Sequence, residues 1–145
     1  MDTNYYENLY LSAIDIARKA HEGQVDKAGK EYILHPIRVA ERCRTVKEKI
    51  VAILHDTIED TYVTPDYLKS MGFDSEIIEA VLSVTRRMEE SYDQFIERCL
   101  TNEIGKQVKI ADLKDNLDIT RLDSLSEKDL ARINKYLKAL RKLSM

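Results

Sequence analysis

Apolar residues recur every three or four positions along most of this chain, and that spacing is typical of amphipathic α-helices. In the first such stretch, residues 6–20, one stripe is formed by Leu9, Ala13, Ile16, Ala17 and Ala20. Similar stretches cover roughly residues 35–46, 48–59 and 74–87, a long segment from 103, and a final segment that reaches 143. No segment alternates apolar and polar residues as a half-buried strand would. The pattern therefore predicts an all-α fold, a bundle of about eight helices.

Capping residues mark where several of these helices begin. Ser91 and Ser126 are each followed, three positions later, by a residue that can complete a capping box. Thr64 precedes Pro65, which suits an N-cap followed by a proline in the first helical turn. We therefore expect helices to begin directly after these three N-caps.

The composition fits one small domain. The chain has 145 residues, 43% of them hydrophobic and 34% charged, which is enough for one core and too little for two domains. We therefore expect residues 1–145 to form a single domain. No apolar run approaches a membrane span and no leader or lipidation motif is recognisable, so we expect a cytoplasmic location. Cys43 and Cys99 lie far apart on helical patterns, and we expect buried free thiols rather than a disulfide or a nucleophile.

The net charge argues against binding to extended nucleic acids, and the glycine content excludes two classes of nucleotide-binding fold. A net charge of −3 and a pI near 5.7 do not suit binding along an extended nucleic-acid backbone. Four glycines, with neither GxGxxG nor a Walker loop, exclude dinucleotide folds and P-loop NTPases. An anionic ligand would need a local cluster of cations, for which the candidates are Lys27, Lys30, Arg38, Arg42, Arg86 and Arg87.

In the run of residues 51–60, four apolar residues precede a His-Asp pair, and an acidic pair follows shortly afterwards. On a continuous helix, His55 and Glu59 would share one face and Asp56 and Asp60 the adjoining one, within about one and a half turns. Carboxylates this close repel one another, and a cation would remove the repulsion. The neighbouring imidazole favours a transition metal over calcium or magnesium. The alternative is a solvated helix end with one hydrogen-bonded histidine.

Two other segments offer ligands of the same kind. His35 directly precedes a proline suited to a first helical turn, so the imidazole should lie at a helix start. Asp112 follows an apolar run, and Asn116 lies one turn later on the same face. Among nearby residues, His21 is expected to support the end of the first helix, whereas Tyr32 could line a pocket or pack beneath it.

Five short motifs connect these segments. They are Ala20-His21-Glu22-Gly23-Gln24, Lys27-Ala28-Gly29, Tyr32-Ile33-Leu34-His35-Pro36, Leu54-His55-Asp56-Thr57-Ile58-Glu59-Asp60-Thr61 and Lys109-Ile110-Ala111-Asp112. Together they resemble the hydrolase domain of RelA/SpoT-type (p)ppGpp enzymes, within the HD phosphohydrolase superfamily, and especially the small alarmone hydrolases. The resemblance covers most of the chain, and the combination is specific although each motif alone is weak.

The resemblance implies a helical HD domain that uses Mn²⁺, or another divalent transition metal, to hydrolyse the 3′-pyrophosphate of guanosine tetra- or pentaphosphate. The metal ligands that it implies are His35, His55, Asp56 and Asp112. Glu59 and Asp60 are the implied catalytic residues, which would orient the attacking water and manage its proton. Lys27 and Asn116 are expected to contact the substrate. The partner would then be a small phosphorylated nucleotide rather than a membrane or an extended nucleic acid. The resemblance also suggests a functional pairing with an alarmone synthetase.

Two departures from the family pattern leave the substrate open. Asp26 stands where the family usually has an arginine that would stack on guanine, so we expect weak base discrimination and improved guanosine binding by Asp26→Arg. Asp115 stands where the family commonly has histidine, next to the retained Asn116. The alternatives are an HD phosphohydrolase for another phosphorylated nucleotide, such as NADPH or a pyrophosphorylated RNA 3′ end, and a non-catalytic nucleotide-binding module.

Overall fold

Helices make up most of the fold. A computed structural model describes residues 3–145, in which the α-helices are α1 (Thr3–Ala20), α2 (Leu34–Glu41), α3 (Val46–Leu54), α4 (Thr57–Asp60), α5 (Pro65–Ser70), α6 (Ser75–Ser83), α7 (Tyr92–Cys99), α8 (Glu103–Asn116) and α9 (Glu127–Leu143). A 3₁₀ turn, Ile119–Arg121, precedes α9. In this part of the chain the only bridge between extended residues joins Val25 and Glu31. The predicted all-α bundle is confirmed, and none of the described helices is long and apolar enough to cross a membrane.

The structure corrects the helix predicted over residues 48–59. α3 ends at Leu54, directly before the His-Asp pair, and α4 begins directly after it. His55 Nδ1 donates a hydrogen bond to the carbonyl oxygen of Ala52 over 2.6 Å, and Thr57 Oγ1 donates to that of Leu54 over 2.8 Å. These side chains occupy carbonyls that a continuous helix would use for its own amides, so they favour a break. The acidic pair that follows therefore does not share the helix faces expected from the sequence.

Two helices end earlier than predicted, and several begin directly after residues that cap them. α2 ends at Glu41 and α6 at Ser83, several residues before their predicted ends. α3 starts at a capping box between Thr45 and Glu48, which was not among the predicted caps. The predicted N-caps are confirmed, each accepting a hydrogen bond from a backbone amide three residues later, and they are Thr64, Ser91 and Ser126.

α3 is the central helix of the core. Its last five residues, 50–54, are fully buried because α1, α2, α6 and α8 pack around them. The chain passes directly from this buried end into His55, which is itself 2% exposed. Packing of α2 and α8 against α3 therefore brings residues from three helices to the same end of the core.

Cys43 and Cys99 are buried and unpaired, as predicted. Burial raises the pKa of each thiol to about 11. Both thiols therefore stay protonated near neutral pH, which does not suit a nucleophile.

Gly105 allows α8 to approach α6 closely. A Cβ atom at this position would lie 1.9 Å from Ser83 Oγ and 3.1 Å from Ser83 Cβ. Alanine is favoured over glycine inside a helix by about 1 kcal/mol, but overpacking typically costs about 1–3 kcal/mol. Because the contact is so short, we expect Gly105→Ala to lower the free energy of unfolding, measured by denaturant titration.

A double-mutant cycle with Ser83→Ala tests the cause of this loss. Removing the Ser83 hydroxyl removes the shortest contact, so Gly105→Ala should be less destabilising in the Ser83→Ala background. An identical loss in both backgrounds would contradict the steric explanation.

Candidate functional site

A pocket of about 560 Å³ lies where α2, α4, α8 and α9 meet the loop of residues 25–28. One wall includes His35, Asp56 and Asp112. Other lining residues come from the loop of residues 25–28, from residue 86, and from α7 and α9. The volume is typical of pockets that bind small molecules.

The four predicted metal ligands lie close together at this pocket, and all of them except His55 are among its lining residues. His35 Nε2 lies 2.9 Å from Asp112 Oδ1 and 3.9 Å from Asp56 Oδ2. His55 Nε2 lies 3.1 Å from Asp56 Oδ2 and 3.3 Å from Asp112 Oδ1. Ligand atoms of His35, His55 and Asp56 all lie within 4.8 Å of one another, a grouping that could hold a metal ion. Two imidazoles and two carboxylates suit a divalent transition metal.

His55 shows that a positive charge fits this cluster. Its Nδ1 donates to a backbone carbonyl, so Nε2 is the ring nitrogen that faces the carboxylates. Nε2 is buried and has no hydrogen-bond partner within residues 3–145. Burial lowers the pKa of His55, but the charges of Asp56 and Asp112 raise it well above its ordinary value. The carboxylates thus attract a cation to Nε2, and a metal ion could replace the proton there.

The two carboxylates remain ionised although Asp112 is buried and Asp56 is partly buried. Burial raises the pKa of Asp112, but the charges of Lys109 and His55 lower it well below its ordinary range. Burial likewise raises the pKa of Asp56, and the nearby charge of His55 lowers it to about 2. Both side chains are therefore anionic near neutral pH, as metal ligands must be.

Three neighbouring side chains hold these carboxylates in place. Lys109 Nζ donates to Asp112 Oδ2 over 2.9 Å, and Asn116 Nδ2 donates to Asp112 Oδ1 over 3.0 Å. The Tyr32 hydroxyl donates to Asp56 Oδ2. Asn116, predicted as a substrate contact, does line the pocket, but its amide is engaged with Asp112. Lys109 was not predicted as a site residue, although its helical spacing of three residues from Asp112 indicates such a pair.

The two predicted catalytic acids have different surroundings. Glu59 lines the pocket, and its Oε1 accepts a hydrogen bond from the Arg86 amide over 2.8 Å. Asp60 is not among the described residues that line the pocket. Partial burial, together with the charges of Asp56 and Glu59, raises the pKa of Asp60 to about 6. Asp60 can therefore exchange a proton near neutral pH, whereas Glu59 is better placed to touch a ligand.

Lys27, Arg86 and Lys135 line the pocket, and because Lys27 and Arg86 both repel the charge of Lys135 we call the three the cationic wall. None of them forms an ion pair within 4 Å in the described part of the chain. Lys135 Nζ lies 4.5 Å from the ring centre of Tyr92 and 5.6 Å from that of Tyr136. Burial lowers the pKa of Lys135, and repulsion from Arg86 and other cations lowers it further. A bound anion would relieve this repulsion.

The sequence predicts only Lys27 from this wall. Arg86 is one of several candidate cations in the sequence, with no reason to prefer it. Lys135 and Tyr136 lie on α9, near the other end of the described chain, and no local motif connects them to the pocket. Only the packing of α9 against α7 and α8 brings them here.

Asp26 has a structural role in the loop beside Lys27. Its Oδ1 accepts hydrogen bonds from the amides of Ala28, over 2.8 Å, and Lys30, over 2.9 Å. The side chain also lines the pocket. Asp26→Arg would remove both loop hydrogen bonds along with the negative charge, so its effect on base recognition would be mixed with an effect on the loop.

Several curated proteins are similar to this chain. A GTP pyrophosphokinase of Myxococcus xanthus is 32% identical over 144 residues, which cover 87% of this chain and 19% of that protein. A guanosine-3′,5′-bis(diphosphate) 3′-pyrophosphohydrolase of Haemophilus influenzae is 40% identical over 75 residues, which cover 49% of this chain and 11% of that protein. The bifunctional (p)ppGpp synthase/hydrolase SpoT of Escherichia coli K12 is 38% identical over 77 residues, which cover 49% of this chain and 10% of that protein. This chain is related to the RelA/SpoT-type HD hydrolases.

The RelA/SpoT-related chain spans at most 19% of the length of these three relatives. A solved structure, of a metazoan SpoT ortholog that hydrolyses ppGpp, matches it with a TM-score of 0.78 at 19% identity. That match covers 93% of this chain and 84% of the other, and it shows the fold. No protein-family model matches the chain.

Proposed function

We propose that this chain hydrolyses the 3′-pyrophosphate of guanosine tetra- or pentaphosphate in a metal-dependent reaction. The observation that carries the proposal is the meeting of two imidazoles and two carboxylates at a pocket that also has a cationic wall. A phosphorylated nucleotide can place phosphate oxygens against both walls. The choice of substrate is supported by relatives that carry pyrophosphohydrolase in their names.

The residues that would hold one divalent ion are His35, His55, Asp56 and Asp112. We propose Mn²⁺ as that ion, although other divalent transition metals suit the same donors. When bound, such an ion lowers the pKa of a coordinated water toward about 7 and polarises the phosphorus centre. Lys109 keeps Asp112 ionised and oriented, and Tyr32 orients Asp56.

Glu59 and Asp60 are the proposed catalytic residues. Glu59 lies in the pocket wall, where its carboxylate can orient the attacking water while the Arg86 amide fixes one of its oxygens. Asp60, with a pKa raised to about 6, can accept a proton and return it. Positioned acids and bases of this kind contribute about 10²–10⁴-fold to a rate.

Lys27 is the proposed phosphate contact of the loop. A hydrogen bond to a charged group is worth about 1.5–3 kcal/mol, so we expect Lys27→Ala to raise KM about 10-fold or more while changing kcat little. Lys30, on the same loop, is not among the described residues that line the pocket, and Lys30→Ala is the matched control. Steady-state kinetics at fixed ionic strength decides, and equal KM values for the two variants would oppose the assignment.

A second candidate is hydrolysis of another phosphorylated nucleotide, such as NADPH or a pyrophosphorylated RNA 3′ end. The observation that favours it is Asp26, because the loop beside Lys27 carries a carboxylate where a guanine-stacking arginine is expected. The cationic wall recognises phosphate without regard to the base, so it fits either substrate.

An assay of metal-loaded protein against a panel of nucleotides tests the proposal. The panel contains the guanosine and adenosine alarmones, NADPH and pyrophosphorylated RNA, and products are identified by ion-exchange chromatography. We expect pyrophosphate release from guanosine tetraphosphate that stops when a chelator removes the metal. Turnover of another substrate alone would favour the second candidate, and binding without any turnover would indicate a non-catalytic module.

We also propose that residues 1–145 act as one domain, because the buried apolar side chains of the described residues form one cluster. A cytoplasmic location and a functional pairing with an alarmone synthetase are further parts of the proposal, since both would supply the nucleotide substrate.

A further inference from the structure

Asp115 is a buried carboxylate directly behind His35. His35 Nδ1 donates a hydrogen bond to Asp115 Oδ2 over 2.7 Å, and this is the ring nitrogen opposite the one that faces Asp112. The Asp115 side chain has 0% exposed surface. An ionised carboxylate only accepts hydrogen bonds, so this contact requires the hydrogen to be on Nδ1.

Three arginines surround Asp115. Arg38 Nε lies 3.0 Å from Oδ1 and 3.2 Å from Oδ2, and Arg42 Nε lies 3.8 Å from Oδ1. Arg121 donates to the backbone carbonyl of Asp115 over 2.8 Å and lies 3.5 Å from Oδ2. Three guanidinium groups around one buried carboxylate favour its anionic form.

The contacts of Asp115 join three elements behind the pocket. Arg38 lies about one turn after His35 on α2, so both side chains reach the same carboxylate on α8. Arg121 reaches it from the 3₁₀ turn after α8. The imidazole of His35 is thus held from the side away from the pocket, which leaves Nε2 directed at the other candidate ligands.

We propose that Asp115, held by Arg38 and Arg121, is a positioning residue that orients His35 and keeps its hydrogen on Nδ1. The inference rests on the proposed function only in that it requires the metal site. Carboxylates that accept from a metal-bound histidine fix the ring and increase its basicity, and their loss typically costs about 10–100-fold in metal affinity. Asp115 acts through His35 and is not itself a metal ligand.

Calorimetric titration of the metal-free protein with Mn²⁺, without any nucleotide, tests this role. We expect Asp115→Ala to raise the Kd for Mn²⁺ about 10–100-fold. Asp115→Asn should have a smaller effect, because the amide oxygen still accepts from Nδ1 but lacks the charge. The matched control is Glu90→Gln, which removes a carboxylate paired with Arg98 at 2.8 Å, away from the candidate ligands. The control should leave the Kd unchanged.

Two further measurements separate positioning from general loss of structure. Thermal unfolding of each metal-free variant shows whether it folds, and if Asp115→Ala does not fold, the isosteric Asp115→Asn decides. In ¹H–¹⁵N spectra of the protein loaded with diamagnetic Zn²⁺, the Nδ1 proton of His35 should be shifted downfield by its hydrogen bond to Asp115 in the wild type. It should lie less far downfield in the folded variant, because a metal on Nε2 keeps the hydrogen on Nδ1 but does not supply that hydrogen bond.

The proposal is overturned if the folded variant binds Mn²⁺ like the wild type, or if Glu90→Gln weakens binding equally. A wild type that binds Mn²⁺ but hydrolyses no nucleotide would contradict the proposed function and leave the role of Asp115 intact. A wild type with nucleotide turnover, together with an unchanged Kd in Asp115→Asn, would contradict the role of Asp115 and leave the proposed function intact.

Discussion

Replacing His55 with alanine is expected to abolish metal-dependent hydrolysis. His55 Nε2 lies within 3.3 Å of both candidate carboxylate ligands and has no hydrogen-bond partner in the described chain, so its removal opens the proposed coordination sphere. We expect the Kd for Mn²⁺ to rise by more than about 100-fold, beyond the effect of losing an outer partner. Metal analysis after dialysis and initial-rate assays measure the two losses.

His21→Ala is the matched control for this experiment. His21 is as buried as His55, and in both residues Nδ1 is hydrogen-bonded and Nε2 has no partner in the described chain. Unlike His55, His21 has no carboxylate within 4 Å of its ring nitrogens among the described residues. We expect this variant to retain stoichiometric metal. Undiminished metal and activity in His55→Ala would refute the shared site, and equal metal loss in both variants would indicate a general effect of removing a buried histidine.

Asp112→Ala should also abolish activity. In addition, we expect it to lower the free energy of unfolding. Lys109 Nζ is paired with Asp112 in the interior, and the charge of Asp112 helps to raise the pKa of Lys109 against the effect of burial. Removing one partner of a buried pair typically costs about 3–5 kcal/mol. A Lys109→Met substitution in the same chain should recover part of that loss of stability, but not the activity, as denaturant unfolding and rate assays would show.

Glu59→Gln and Asp60→Asn are each expected to slow hydrolysis about 10²–10⁴-fold while the metal stays bound. Both side chains lie beyond the four proposed ligands, and each substitution keeps shape while removing a proton-accepting carboxylate. Single-turnover rates and metal content are measured on the same samples. Loss of metal in both variants would make these acids ligands rather than proton-transfer residues.

The control for the acid pair is Glu89→Gln. Glu89 is exposed on the neighbouring loop and is not among the described residues that line the pocket. Its loss changes the net charge by the same amount, so unchanged turnover in this variant would exclude a general effect of charge. A similar slowing in Glu89→Gln would contradict specific roles for Glu59 and Asp60.

Local sequence patterns determined the helices and much of the candidate site. Helical periodicity and the caps at Ser91 and Ser126 depend on contacts between residues three or four positions apart, which the sequence displays directly. The His-Asp pair, His35 and Asp112 were found by residue type and by resemblance to known motifs. Their residue types suit a metal, and the structure brings all four together, but their ligand roles remain a proposal.

The tertiary structure alone decided which other residues surround these candidate ligands. The break between α3 and α4 depends on side chains that compete with helical hydrogen bonds, and periodicity does not report that competition. Lys135 enters the pocket from α9 because distant helices pack together. The sequence marks Asp115 only as a departure from the family pattern. Its contacts with His35 and Arg38 form because α2 packs against α8. Such contacts join residues far apart in the chain, and their energies depend on burial that no local pattern records.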